Sequence, residues 1–150
     1  MIYREATPED LGPRNMMMFL EGLREVELGR AGVCPARTLE TLTRMIASSS
    51  HLVAVSDSGD GLTGVIIGSL SQEPFSEHLF TQMHVWYVRP EFRGSWTGYR
   101  LARIYRDWAR MVGAKTAYFE VSSGVNNERA GALAKKLGFS HIGDTYKASF

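Results

Sequence analysis

Residues 93–98 read RGSWTG, so an arginine, two glycines, two hydroxyl side chains and an indole stand between a strand-like stretch and a helical one. Where a strand ends in a tight loop that opens a helix, several backbone N–H groups lack partners, and the helix dipole places partial positive charge at the same point. Glycines admit close approach of a ligand. Arg93, Gly94, Ser95, Trp96, Thr97 and Gly98 can therefore hold a pyrophosphate through their N–H groups, with Arg93 and Arg100 adding charge. A plain βα turn accounts for the same residues. Past the loop, Leu101, Ile104, Tyr105, Trp108 and Val112 line one helical face, and Arg100, Arg103, Arg106 and Arg110 the other. Four arginines at that spacing describe a solvated face more readily than a nucleic-acid stripe.

The remainder of the chain bounds these readings. Its 150 residues suit one compact domain spanning 1–150, and its 44% hydrophobic and 22% charged content is that of a folding globular chain. Seventeen basic residues against 16 acidic ones leave a net charge of +1, so no global field favours nucleic acid or an anionic membrane. Phosphate recognition must be local. The single cysteine, Cys34, excludes an internal disulfide and a multi-cysteine zinc site and fits a reducing compartment, so the cytoplasm is the expected location. His51, His78 and His141 are scattered without ligand spacing, and no metal is expected. The opening MIYREATPED lacks the apolar core of a signal peptide, and no stretch approaches the roughly 20 apolar residues of a membrane helix.

The elements that must position the loop follow from period and punctuation. MIYREA reads as a short strand, Thr7 as an N-cap, and Pro13 as a reason for the first helix to start later. Pro35 opens a second helix whose Leu39, Leu42, Met45 and Ile46 predict a buried face. HLVAVS and LTGVIIGSL, joined by DSGDG, predict an antiparallel hairpin, and LFTQMHVWYV a fourth strand ending before Pro90. A helix over 97–112, a fifth strand TAYFEVS, a helix stopped by Gly138 and one or two closing strands in SHIGDTYKASF complete the chain. Hairpins followed by strand and helix alternation make the fold class α/β with a mixed, mostly antiparallel sheet flanked by about four helices.

With these elements in place, VRPEFRGSWTGYRL resembles the acyl-coenzyme A loop of the GNAT superfamily of N-acetyltransferases, through Val88, Pro90, Arg93, Gly98 and Leu101. NNERAGALAKKLGF resembles that superfamily's later helix through Asn127, Ala130, Leu133, Leu137, Gly138 and Phe139. The resemblance implies a splayed acyl-CoA cleft, with acetyl-CoA as cosubstrate. The backbone at Val88 would bond the pantetheine arm, the 93–98 amides the pyrophosphate, and Asn127 would face the coenzyme. It further implies an amine acceptor, small molecule or protein, that attacks the thioester directly in a ternary complex, and it admits a homodimer.

Two positions depart from the superfamily's pattern. The central loop glycine is Trp96, which lacks easy access to positive φ and either stacks on the adenine, covers the phosphates or packs on the surface. Ala134 stands where many members carry a tyrosine that protonates the departing thiolate. For the base, period-two alternation predicts one face for Gln82, His84, Trp86 and Val88, which makes His84 a candidate; Glu120 and Glu73 are rivals. Tyr87 is expected on the opposite face, and Tyr146 is a further acid candidate. Glu21, Glu25, Glu27, Glu73 and Glu77 on the expected acceptor side suggest a cationic amine, or simply solvated faces. Trp96 and Ala134 also permit a noncatalytic acyl-CoA-binding or protein-interaction module.

Overall fold

β-branched and aromatic runs build a five-stranded sheet of β1 (Ile2–Glu5), β2 (His51–Asp57), β3 (Leu62–Gln72), β4 (Leu79–Val88) and β5 (Thr116–Tyr118), arranged in that order. The computed structural model describes residues 1–26 and 31–150, and Glu27 lies outside them. Strands β1 to β4 pair antiparallel, whereas β4 and β5 run parallel. In the β2–β3 connection Gly59 and Gly61 take φ of 90° and 135°, and Asp57 Oδ1 accepts the Gly59 N–H at 2.8 Å. The expected hairpin thus has its left-handed positions filled by glycine.

One face of the sheet packs α1 (Pro13–Glu25) and α2 (Pro35–Ile46), through Met18, Phe19 and Leu42 on Val53, Val55, Val65, Val85 and Tyr87. Pro13 opens α1 rather than breaking it, because the preceding residues form a separate 3₁₀ turn, Pro8–Leu11, and proline is tolerated at a first helical position. The opposite face packs α3 (Thr97–Met111) through Leu101, Tyr105 and Trp108, together with Leu133 and Leu137 from α4 (Asn127–Lys136) and its end. Gly138 takes φ of 89° just past α4, where a left-handed residue ends a helix. Among the described residues no helix is long and apolar enough to cross a membrane.

Three expectations are corrected. The α2 face is only partly covered: Leu42 is buried, Met45 and Ile46 are half-buried, and Leu39 is exposed, because Leu42 and Met45 border an open cavity rather than a closed core. The fifth strand is three residues long instead of seven, since its pairing with β4 stops at Tyr118. Residues 140–150 form no strand, and Ile142 and Tyr146 stand in solvent, with the acid candidate Tyr146 outside both cavity linings.

Tyr105 pins the sheet to α3. Its fully buried ring carries a hydroxyl that donates to the Tyr118 carbonyl at 2.7 Å and lies 3.1 Å from Thr81 Oγ1, linking β5, β4 and α3 at one atom. Burial pushes this phenol up to about 12. The ring rests on Gly68, where an added Cβ would lie 2.7 Å from it. Gly68→Ala is accordingly expected to destabilise the protein by about 1–3 kcal/mol through overpacking, read as a lower midpoint in chemical denaturation.

Candidate active site

The parallel pairing of β4 with β5 runs from Phe80 opposite Thr116 to Gln82 opposite Tyr118 and then stops. Two local features accompany the separation. On the other side of β4, Ile67 faces Val85 and Gly68 faces Met83, so His84 is the extra residue of a bulge. Past the last pair, Phe119 packs between Trp86 of β4 and Phe139, with ring centroids 5.1 and 5.2 Å away. A cavity of about 280 Å³ opens between β4, the residues after β5, and the first turns of α3 and α4.

The bulge also changes which side chains share a face. Thr81 and Met83 meet α3, Val85 and Tyr87 pack toward α1, and Trp86 and Val88 return to the α3 side. Gln82 therefore does not share a face with Trp86 and Val88 as strict alternation predicts; one inserted residue shifts the parity at His84. Tyr87 is buried on the α1 side, against Gly22, where a Cβ would lie 2.9 Å from its ring.

In the loop that opens α3, only Gly94 needs positive φ, at 86°; Trp96 sits at φ −73° as the N-cap of the helix. An indole at position 96 therefore meets no backbone strain, and it lies 71% exposed with its ring edge-on to Tyr99 at 5.5 Å. The Arg93 N–H donates to the Pro90 carbonyl at 3.1 Å and the Thr97 N–H to Ser95 Oγ at 3.2 Å. Among the described residues, the N–H groups of Gly94, Ser95, Trp96 and Gly98 have no protein acceptor. Gly98 brings this amide cluster onto β4: Trp86 Nε1 donates to its carbonyl at 3.2 Å, and a Cβ there would lie 3.2 Å from the Trp86 ring.

The charged residues divide differently from the sequence pattern. Arg93 turns into the protein, where Nη2 lies 2.6 and 2.7 Å from the two Glu25 oxygens, Nε donates to the Val88 carbonyl at 2.7 Å, and the guanidinium sits 5.5 Å from the Tyr87 ring centre. It is a strut between α1 and the loop. The Val88 carbonyl keeps a second lone pair for a ligand. Arg100 lies over Tyr3, 5.4 Å from its ring centre, outside the cavity lining. Arg103 and Arg106 pair with Asp107 within their own helix, as a solvated face does. Asn127 Oδ1 accepts the Gly124 N–H at 3.0 Å and shapes the turn before α4. The cavity is lined instead by Asn126 and Arg129, the latter with Nη2 3.8 Å from a Cβ built on Gly94. Pattern-matching favoured Asn127; the helical spacing of Arg129 to Leu133, four residues apart on one face, was the signal for Arg129.

Of the three base candidates, His84 and Glu120 border the cavity, whereas Glu73 lies outside it in the β3–β4 loop. His84 is half-buried, with Nε2 2.6 Å from Ser69 Oγ on β3. Burial lowers its pKa below 6.5 and His51 lowers it further, against an opposing pull from Glu120, so the ring is neutral at pH 7. A second cavity, of about 490 Å³, lies toward α1 and α2, and His84 is the one described residue that lines both. Ala134, the other departure, is buried and offers no hydroxyl.

The fold is that of solved acetyltransferases. A putative acetyltransferase from Agrobacterium tumefaciens aligns at TM-score 0.76 and 12% identity over 100% of both chains. Glucosamine-6-phosphate N-acetyltransferase from Arabidopsis thaliana aligns at TM-score 0.74 and 15% identity, over 99% of this chain and 97% of that one. An aminoglycoside 6'-N-acetyltransferase from Acinetobacter haemolyticus aligns at 0.71 and 19%, over 100% and 98%. No curated protein matches the chain by sequence. The model of the acetyltransferase (GNAT) family matches residues 20–139, and the chain belongs to that family. It is an enzyme of the acetyl-CoA-dependent N-acetyltransferase class.

The Arg93–Glu25 clamp generates a prediction. Arg93→Ala and Glu25→Ala should be non-additive in a double-mutant cycle read by chemical denaturation, with a coupling of about 1 kcal/mol for this partly exposed pair. Additive effects would remove the clamp as the link between α1 and the loop.

Proposed function

We propose that the chain, acting as a single domain over 1–150, transfers an acetyl group from acetyl-CoA to a primary amine in a ternary complex. The observation that carries this reading is a run of loop amides, Gly94, Ser95, Trp96 and Gly98, without protein acceptors among the described residues, three of which, Gly94, Ser95 and Gly98, line the cleft between the separated strands. A pyrophosphate fits such a cluster, because helix N-terminal amides bind anions without competing partners. In this reading Arg129, at the first turn of α4, supplies the nearby positive charge that Arg93 spends on Glu25. The pantetheine arm lies along the edge of β4 that β5 has left, past Gln82 and toward Val88.

His84 stands where the two cavities meet, which supports a role as base. With Nε2 directed to Ser69, the neutral ring offers Nδ1 to the acceptor ammonium. The freed amine attacks the thioester carbonyl, the C–N bond forms as the C–S bond breaks, the nitrogen gives up its second proton to solvent, and the coenzyme leaves as a thiolate. A thiol pKa of about 8.5 makes that departure feasible with solvent as the proton source, which Ala134 requires. Exposed Glu120 is the rival base at the same cavity.

Two measurements test the reading. Calorimetry should give acetyl-CoA binding that weakens about tenfold or more in Arg129→Ala, as expected for loss of charge-assisted bonds worth about 1.5–3 kcal/mol. Unchanged affinity would remove Arg129 from the phosphate site. Thiol release from acetyl-CoA should fall about 10²–10⁴-fold in His84→Gln. Because the base works deprotonated and burial depresses its pKa, the acid limb of wild-type kcat/KM should have its midpoint below that of an ordinary histidine. An acid limb that persists in His84→Gln would assign the base to another group. Stabilisation by acetyl-CoA with no thiol release from any amine would favour a noncatalytic binding module.

A further inference from the structure

The second cavity has an uneven chemistry. Its wall is apolar, built from Leu23 on α1, Leu42 and Met45 on α2, Ile67 on β3 and Val85 on β4. Its volume of about 490 Å³ suits a small molecule. His84 borders it at the sheet, half-buried, whereas Arg37, in the first turn of α2, borders it in solvent and has no ion-pair partner among the described residues. None of the described residues lining it is a carboxylate. Of the acidic residues that suggested a cationic acceptor, Glu21 accepts from Arg89 Nε at 3.2 Å and Glu25 is held by Arg93, Glu73 and Glu77 stand in the β3–β4 loop outside this lining, and Glu27 lies outside the described residues.

We infer that this cavity selects a primary amine whose amino end reaches His84, whose body is apolar, and whose far end carries an anion paired with Arg37. The inference rests on the acetyl-transfer reading of the cleft. A second ammonium at that end would stand beside the like charge of Arg37, with no counter-charge from the described lining. A carboxylate or phosphate at that end meets a guanidinium that has no ion-pair partner among the described residues and can bind it through two parallel N–H bonds. Arg37 is then a specificity-determining residue, and polyamines and other polycations are poor acceptors.

Three amines with one six-carbon chain isolate the charge: 6-aminohexanoate, hexylamine and 1,6-diaminohexane. Thiol release from acetyl-CoA should give kcat/KM in that descending order, with about tenfold or more between the first and last. Arg37→Ala should bring the ratio of 6-aminohexanoate to hexylamine toward one, and Arg37→Glu should turn the preference toward the diamine. A diamine preferred by the wild type, or a ranking indifferent to both substitutions, overturns the inference. Cys34, exposed and on the cavity wall, gives a readout independent of chemistry. If no amine releases thiol, the acetyl-transfer reading fails. In that event, slower alkylation of Cys34 with 6-aminohexanoate but not with the diamine, lost in Arg37→Ala, upholds the charge selectivity. No protection, or equal protection by both, overturns it.

Discussion

The parting of β4 from β5 is the constraint on which the remaining site geometry depends. Three residue pairs hold the two strands together, and beyond Gln82 and Tyr118 the backbone of β4 has lost its neighbour. An open strand edge inside a domain is costly unless something fills the gap or a ligand pairs with it. Phe119 fills the near part by wedging between Trp86 and Phe139, and the rest is the cleft. Tyr105 keeps the split from spreading backwards, because its hydroxyl bridges Thr81 on β4 and Tyr118 at the end of β5.

The bulge at His84 serves the same geometry from the other side of the strand. By inserting one residue it turns Trp86 and Val88 toward the cleft while Val85 and Tyr87 complete the core under α1. It also leaves His84 with neither face wholly to itself, which explains how one side chain borders both cavities. The bond to Ser69 then fixes the ring, and burial keeps it neutral.

Charge is distributed with similar economy. Arg93 joins the loop to α1 through Glu25 and to β4 through the Val88 carbonyl, so its positive charge is neutralised inside the fold. The partial positive charge at the start of α3 comes instead from backbone amides, whose dipoles are fixed by the helix and need no counter-ion. Gly94 supplies the one left-handed turn and Gly98 the close approach to Trp86, which frees position 96 to carry an indole.

The sequence by itself determined the element order up to the helix stopped by Gly138, the β2–β3 hairpin, the amide-bearing loop at the start of α3 and the mixed sheet, since each follows from local periodicity or from glycine and proline placement. It also singled out His84, although by strict alternation, a reasoning that the bulge undoes. Tertiary structure alone decided that Arg93 faces Glu25, a partner 68 residues away, because side-chain pairing across such a distance leaves no periodic trace. It decided likewise that β5 ends after three residues and that 140–150 make no strand, since strand length depends on a neighbour's backbone as well as on propensity. The apolar pocket with Arg37 at its mouth belongs to that second group: its walls come from four elements, and only their packing makes them one surface.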